Sequence, residues 1–158
     1  MATLSQLILY PIKSCAGMAV DTARVSVSGL QASGVHDREW MLVTPEGQFL
    51  TQREFPRMAT IVPRVEEGAL LVSAPGVAVL RLPLARPDAP STLRVQIWDD
   101  FVEAADCGDA AARWFGRCWA RLAGWCVFRA EGRARPAPNG RPAPHRRHAL
   151  PTLTPCCS

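Results

Sequence analysis

Between residues 4 and 105 the apolar residues of this chain come in short runs, each closed by a turn signal a few positions later. That rhythm favours an antiparallel barrel or sandwich over a parallel sheet with alternating helices. Leu4 to Leu9 reads as the first strand. Val20, Val25 and Val27 lie in a second that stops at Gly29. Glu39 to Val43 is a longer apolar run, and Thr44-Pro45-Glu46-Gly47 reads as a type I turn, with Pro at its second position and Gly at its fourth. Gln48 to Gln52 then returns as the partner strand of a hairpin. Met58 to Val62 is a further short strand. Val65 and Ala69 to Ser73 flank Glu66-Glu67-Gly68 as another hairpin. Val77 to Leu82, Leu93 to Trp98 and Phe101 to Ala105 follow, the middle one alternating apolar with polar.

One helix is predicted over about 107–122. Asp106 can cap it, and Asp109 suits the positive end of its dipole. Ala111, Trp114, Phe115, Cys118, Trp119 and Leu122 recur at helical spacing on one face. That face reads as packing against the sheet rather than as a cofactor box.

At 158 residues the chain is expected to be one domain with a real core, and a monomer. No apolar run approaches the ~18 residues of a membrane span. No secretory signal precedes the first strand, so a cytoplasmic location with free thiols is expected for the six cysteines, whose spacing matches no zinc site. Charge is divided unevenly. Residues 1–116 carry 10 basic and 13 acidic residues, a balance of −3, and residues 117–158 carry 8 basic and 1 acidic, a balance of +7. A basic tail can contact nucleic acid, but this one has no aromatic after Phe128 except two histidines, so stacking support is poor and nucleic acid is not the expected partner.

Chemistry points to Tyr10-Pro11-Ile12-Lys13-Ser14-Cys15-Ala16-Gly17. Pro11 has no N–H for a ladder, so regular pairing should end there. Lys13 then sits on the first loop beside a strand end, where rigid structure can hold a ligand-binding side chain. It is the only lysine among 18 basic residues. An ammonium is a compact point charge with three donors, suited to a phosphate oxygen or a carbonyl. From composition alone, a solvated surface lysine beside a turn is the favoured reading.

Several motifs together resemble the N-terminal β-barrel domain of MOSC proteins, the molybdenum-cofactor proteins typified by the mitochondrial amidoxime-reducing component. They are YPIKSCAG, Gly29-Leu30, HDREWMLV at 36–43, FLTQREFPRMATIVP at 49–63, and a downstream W…DC.D.AARWF pattern. The resemblance runs from about Leu4 to Phe115. It implies that molybdopterin lies between this barrel and a following MOSC domain, with Lys13, Ser14 and Arg38 contacting the pterin and its phosphate. Arg53 is a weaker candidate, because it could pair instead with Glu54 or Glu39. Asp37 should orient an arginine or cap a turn, and His36 should take no catalytic part. Lys13 has no context for a Schiff base.

The resemblance also implies that the thiolate on molybdenum comes from the second domain, which lies beyond these residues. Val127-Phe128-Arg129 only faintly echoes the strand expected after the helix, and residues 129–149 then contain no Val, Ile, Leu, Met, Phe, Trp or Tyr. Such a segment cannot bury apolar area. The expectation is a barrel domain over 1–122 and a disordered basic tail over 123–158. The tail reads as a frameshifted or truncated gene product, with a genuine basic tail as the alternative. Function is then expected to be the cofactor-holding half of a molybdenum oxidoreductase whose relatives reduce N-hydroxylated compounds. Its partners would be the MOSC domain and an electron donor, and alone it would be inactive and retain no cofactor. The competing reading is a non-catalytic module binding a phosphorylated small molecule or a partner domain.

Overall fold

The computed structural model describes residues 1–26, 29–85 and 91–118, together with the backbone of 126–130. The strands pair antiparallel in four small sheets. β1 (Leu7–Leu9) pairs with β2 (Met18–Val20). β3 (Arg24–Ser26), β4 (Gly29–Ala32) and β5 (Val35–His36) make a meander. β6 (Trp40–Val43) belongs to a sheet completed much later in the chain. A second meander is β7 (Val62–Glu66), β8 (Ala69–Ala74) and β9 (Val77–Pro83). β10 (Thr92–Ile97), β11 (Asp100–Asp106) and β12 (Cys126–Ala130) join β6 in the spatial order β10-β11-β12-β6. Among the described residues one α-helix is present, α1 (Asp109–Cys118). None of their helices is long and apolar enough to cross a membrane.

All four sheets face one core. Leu9, Val35, Leu42, Leu70, Leu82 and Phe115 belong to the same buried cluster, which gives the molecule its barrel-like character. β6 explains why its sequence is apolar without alternation. Trp40 and Leu42 enter the main cluster, whereas Met41 and Val43 pack with Val95 and Ala104 in a smaller one behind it. A strand buried on both faces has no reason to alternate. On α1, Ala111, Trp114 and Phe115 are buried, and the Trp114 indole N–H donates to the Ala78 carbonyl, tying the helix to β9.

Several local expectations give way. The valines at 20 and 25 lie on two sheets rather than one strand, because the chain crosses from β2 to β3 between them. Val27 lies outside the described residues. Gly29 opens β4 instead of ending a strand, with a φ of 109° that glycine tolerates. Met58 belongs to a 3₁₀ turn, Pro56–Thr60, started by a proline whose fixed φ suits a first helical turn. The return after Gly47 is shorter than Gln48 to Gln52. Phe49 bridges Val43 and the Leu50 amide donates to Leu42, after which the chain turns at 52–54. The helix starts later than 107. Asp106 Oδ1 accepts from the Gly108 amide at 2.8 Å and closes a turn ahead of it, and the Gly108 carbonyl accepts the first helical bonds. Trp119 and Leu122 lie outside the described residues.

The boundary drawn at 122 also moves. Residues 126–130, assigned above to the tail, form β12 and fill the gap between β6 and β11. The echo in Val127-Phe128-Arg129 is thus a strand, because two unpaired edges are there to receive it. Residues 131–158 lie outside the described residues.

Candidate functional site

After β1 the chain passes from its own sheet to the edge of another. Its next four residues run parallel to the start of β6. The Arg38 amide donates to the Tyr10 carbonyl at 2.7 Å, the Trp40 amide to Pro11 at 3.0 Å, and the Lys13 amide to Trp40 at 2.8 Å. Ile12 and Trp40 form the parallel bridge of this contact, and both are fully buried. Pro11 fits because only its carbonyl is used here. The loop beyond is tied at both ends, with the Cys15 amide donating to Ile12 at 3.2 Å and the Ala16 amide to Ile61 at 2.9 Å. Gly17 has no room for a side chain, since a Cβ there would lie 2.4 Å from Ile8 and 2.9 Å from the Tyr10 ring.

This pairing brings Lys13 and Arg38 to one patch. Asp37 organises it. Its Oδ1 accepts from the Tyr10 amide at 2.9 Å, and its Oδ2 accepts from Arg38 Nη1. The Arg38 guanidinium is largely exposed and lies 5.6 Å from the centroid of the Tyr10 ring. His36 supports the turn: its amide donates to Glu39 Oε2 at 3.0 Å. Lys13 Nζ lies 4.0 Å from the Phe49 ring centroid and 5.9 Å from that of Trp98. Those rings meet edge to face at 5.0 Å.

Lys13 is held below the usual lysine range, first by half-burial, then by the positive field of Arg38, and against the opposing pull of Glu54. Among the described residues no carboxylate forms an ion pair with it. Two neighbouring cations, one of them partly dehydrated and without a counter-ion, make a site that an anion relieves.

Backbone strain gathers in the same place. Among the described residues, five non-glycine residues have positive φ. Ser33 and Glu67 each precede a glycine in a two-residue hairpin loop, where that conformation is expected. The others are Ser14 at 65°, Arg38 at 55° and Trp98 at 59°, and they adjoin or carry the patch. Left-handed non-glycine residues cost energy and collect at functional sites. Arg53 is exposed on the turn at 52–54, and its neighbour Glu54 accepts from the Thr51 hydroxyl at 3.0 Å. The described contacts do not bring Arg53 to the patch. Phe49 and Trp98 went unread as site residues, because in sequence they look like strand residues of two unrelated hairpins. The left-handed backbone that could have flagged Trp98 has no sequence signature.

The Cys15 thiol is buried. Burial, with a smaller contribution from Cys118, pushes its thiol up to about 12. Among the described residues no cluster of three His, Cys, Asp or Glu could hold a metal ion. A surface concavity of about 380 Å³ lies between Thr22 and Gly34 on β3 and β4, lined by residues of neither Lys13 nor Arg38's loop.

Residues 1–121 match the model of the MOSC N-terminal beta barrel domain. The chain is 34% identical over 115 residues to mitochondrial amidoxime reducing component 2 of Rattus norvegicus, covering 73% of this chain and 34% of that protein. It is 32% identical over 114 residues to human mitochondrial amidoxime-reducing component 1, covering 72% of this chain and 34% of the relative. It is 35% identical over 117 residues to the molybdenum cofactor sulfurase of Drosophila grimshawi, covering 70% of this chain and 15% of the relative. The chain thus spans about a third of the length of the amidoxime-reducing relatives. The solution structure of a Bordetella bronchiseptica protein superposes with a TM-score of 0.53 at 23% identity, covering 62% of this chain and 78% of that one, which supports the fold alone.

Proposed function

The chain belongs to the MOSC N-terminal beta barrel domain family, and from that premise we propose that it forms the phosphate-holding half of a molybdenum-cofactor site in an oxidoreductase that reduces N-hydroxylated compounds. Lys13 supplies a point charge to the phosphate, Arg38 a forked donor fixed by Asp37, and Ser14 a hydroxyl at the turn between Lys13 and the core. Arg53 is a secondary contact, free to swing in from an exposed turn. The observation that carries this reading is the Lys13–Arg38 pair. Arg38 lowers the proton affinity of Lys13 while Lys13 has no carboxylate partner among the described residues. A phosphate dianion fits that donor set. It would neutralise Lys13, add a second anionic partner to Arg38 beside Asp37, and replace the water that Lys13 has lost.

The bound cofactor would supply two-electron oxygen-atom chemistry, and this chain's residues would anchor and orient it. In this reading the metal thiolate comes from a following MOSC domain, and Cys15, buried with its thiol held protonated, takes no part. The 158 residues are therefore proposed to be inactive by themselves. Joining them to the remainder of an amidoxime-reducing relative tests the reading. The fusion should retain molybdenum and reduce an amidoxime, and a well-folded fusion without molybdenum would overturn it. A second reading, a stand-alone module for a phosphorylated small molecule or a partner domain, is favoured by one fact: the patch is assembled by this chain's own backbone pairing. Its mark would be phosphate binding that does not tighten in the fusion.

A further inference from the structure

Trp98 occupies a conformation that its position does not favour. It is the first residue of the two-residue loop joining β10 to β11, closed by the Ile97–Asp100 pair. Its φ is 59°, and Asp99 has no positive φ. A two-residue hairpin loop with positive φ only at its first residue is the II′ pattern, which ordinarily takes glycine there. A tryptophan held this way, and 62% exposed, contributes little to the core. Its edge-to-face contact with Phe49, and Lys13 Nζ at 5.9 Å, fix the indole beside the cation patch. The Tyr10 ring lies beside Arg38 and is 38% exposed. Each cation therefore has an exposed aromatic ring beside it, Trp98 near Lys13 and Tyr10 near Arg38.

We propose that Trp98 is a stacking wall that makes this patch specific for phosphate monoesters carrying a flat heteroaromatic ring. The proposal rests on the phosphate-holding role given to Lys13 and Arg38 above. A phosphate oxygen hydrogen-bonded to Lys13 leaves the ester's organic part close to the indole. Flat rings of differing identity stack on an aromatic face, so the wall selects for flatness rather than for one hydrogen-bond pattern.

Three ligands and one substitution test it on the 158-residue chain by NMR titration: pterin-6-ylmethyl phosphate, inorganic phosphate and 6-hydroxymethylpterin. The ring-bearing phosphate should bind about tenfold or more tighter than inorganic phosphate, in keeping with the value of one stacked ring, and the unphosphorylated pterin should bind weakest. Trp98→Gly supplies the residue the loop prefers, so the variant should fold at least as stably as the parent. It should nevertheless lose the tenfold advantage while keeping its affinity for inorganic phosphate. A purely structural tryptophan would give the opposite pattern, a less stable variant with the advantage intact. Equal binding of the two phosphates by the parent chain, or an advantage surviving in Trp98→Gly, overturns the stacking role and leaves the phosphate site standing. No binding of either phosphate overturns both.

Discussion

The backbone amide of Lys13 donates to the carbonyl of Trp40 at 2.8 Å. One hydrogen bond thus ties the only lysine of the chain to a strand buried on both faces. The side chain can be half-exposed and still precisely aimed, because its backbone is part of the core.

Cofactor retention should depend on that residue. In a fusion with the remainder of a relative, Lys13→Ala should remove a charge-assisted hydrogen bond worth about 1.5–3 kcal/mol. Arg57→Ala, at an exposed arginine on the 3₁₀ turn, should cost about 0–1 kcal/mol. Molybdenum per chain, measured by mass spectrometry, should fall in the first variant and not in the second. Equal content would refute the assignment of Lys13.

The titration of Lys13 is directly observable, because reductive methylation labels one side chain besides the N-terminus. Its pKa should lie below 10.5, rise in Arg38→Ala, and rise again on binding phosphate. Burial is the larger cause, so removing Arg38 should restore only part of the shift. A lysine whose pKa is lower folded than unfolded binds fewer protons in the folded state between the two values. Its contribution to stability therefore grows as pH rises through that window up to 10.5. Lys13→Met should accordingly be no less stable than the parent at pH 7 in urea unfolding, while losing phosphate binding. A clear loss of stability would mean that the ammonium is a structural group.

Thiol chemistry should separate the cysteines. Cys15 is 4% exposed with its thiol pushed up to about 12, and Cys118 is partly buried with its thiol at about 11. At pH 8 iodoacetamide should leave Cys15 unmodified until the chain unfolds, as read by peptide mass mapping. Rapid labelling of Cys15 in the native protein would contradict the packing of its loop.

Gly47 is fixed by contact as well as by conformation. Its φ is 80°, and a Cβ would stand 2.7 Å from the Arg94 carbonyl oxygen, a backbone atom that cannot step aside cheaply. Gly47→Ala should destabilise by roughly 1–3 kcal/mol, whereas Gly76→Ala, with nothing within 4 Å, should suffer only the strain of its positive φ. Chemical denaturation midpoints of the two variants give the comparison.

The strands were legible where burial is one-sided or complete, as in Trp40–Val43 and the β10–β11 hairpin, because the apolar pattern is written in adjacent residues. The convergence of Lys13 and Arg38 was legible only through resemblance. No periodicity announces that residues 10–13 will pair in parallel with the start of β6. Met58 misled because one buried side chain in a 3₁₀ turn looks, in a short window, like a strand residue. Trp98 misled for a deeper reason: its significance lies in a φ angle, and a tryptophan gives no advance notice of adopting one suited to glycine.

β12 has a consequence for the order of synthesis. Residues 126–130 are the last described segment to be made, yet they form the seam between Trp40–Val43 and Asp100–Asp106. Until that segment has left the ribosome, two strand edges face one another with unanswered amides and carbonyls, open to any passing strand. The nascent domain should therefore stay in the care of chaperones for nearly its whole translation, and a chain released even a few codons before 126 would expose the edges permanently.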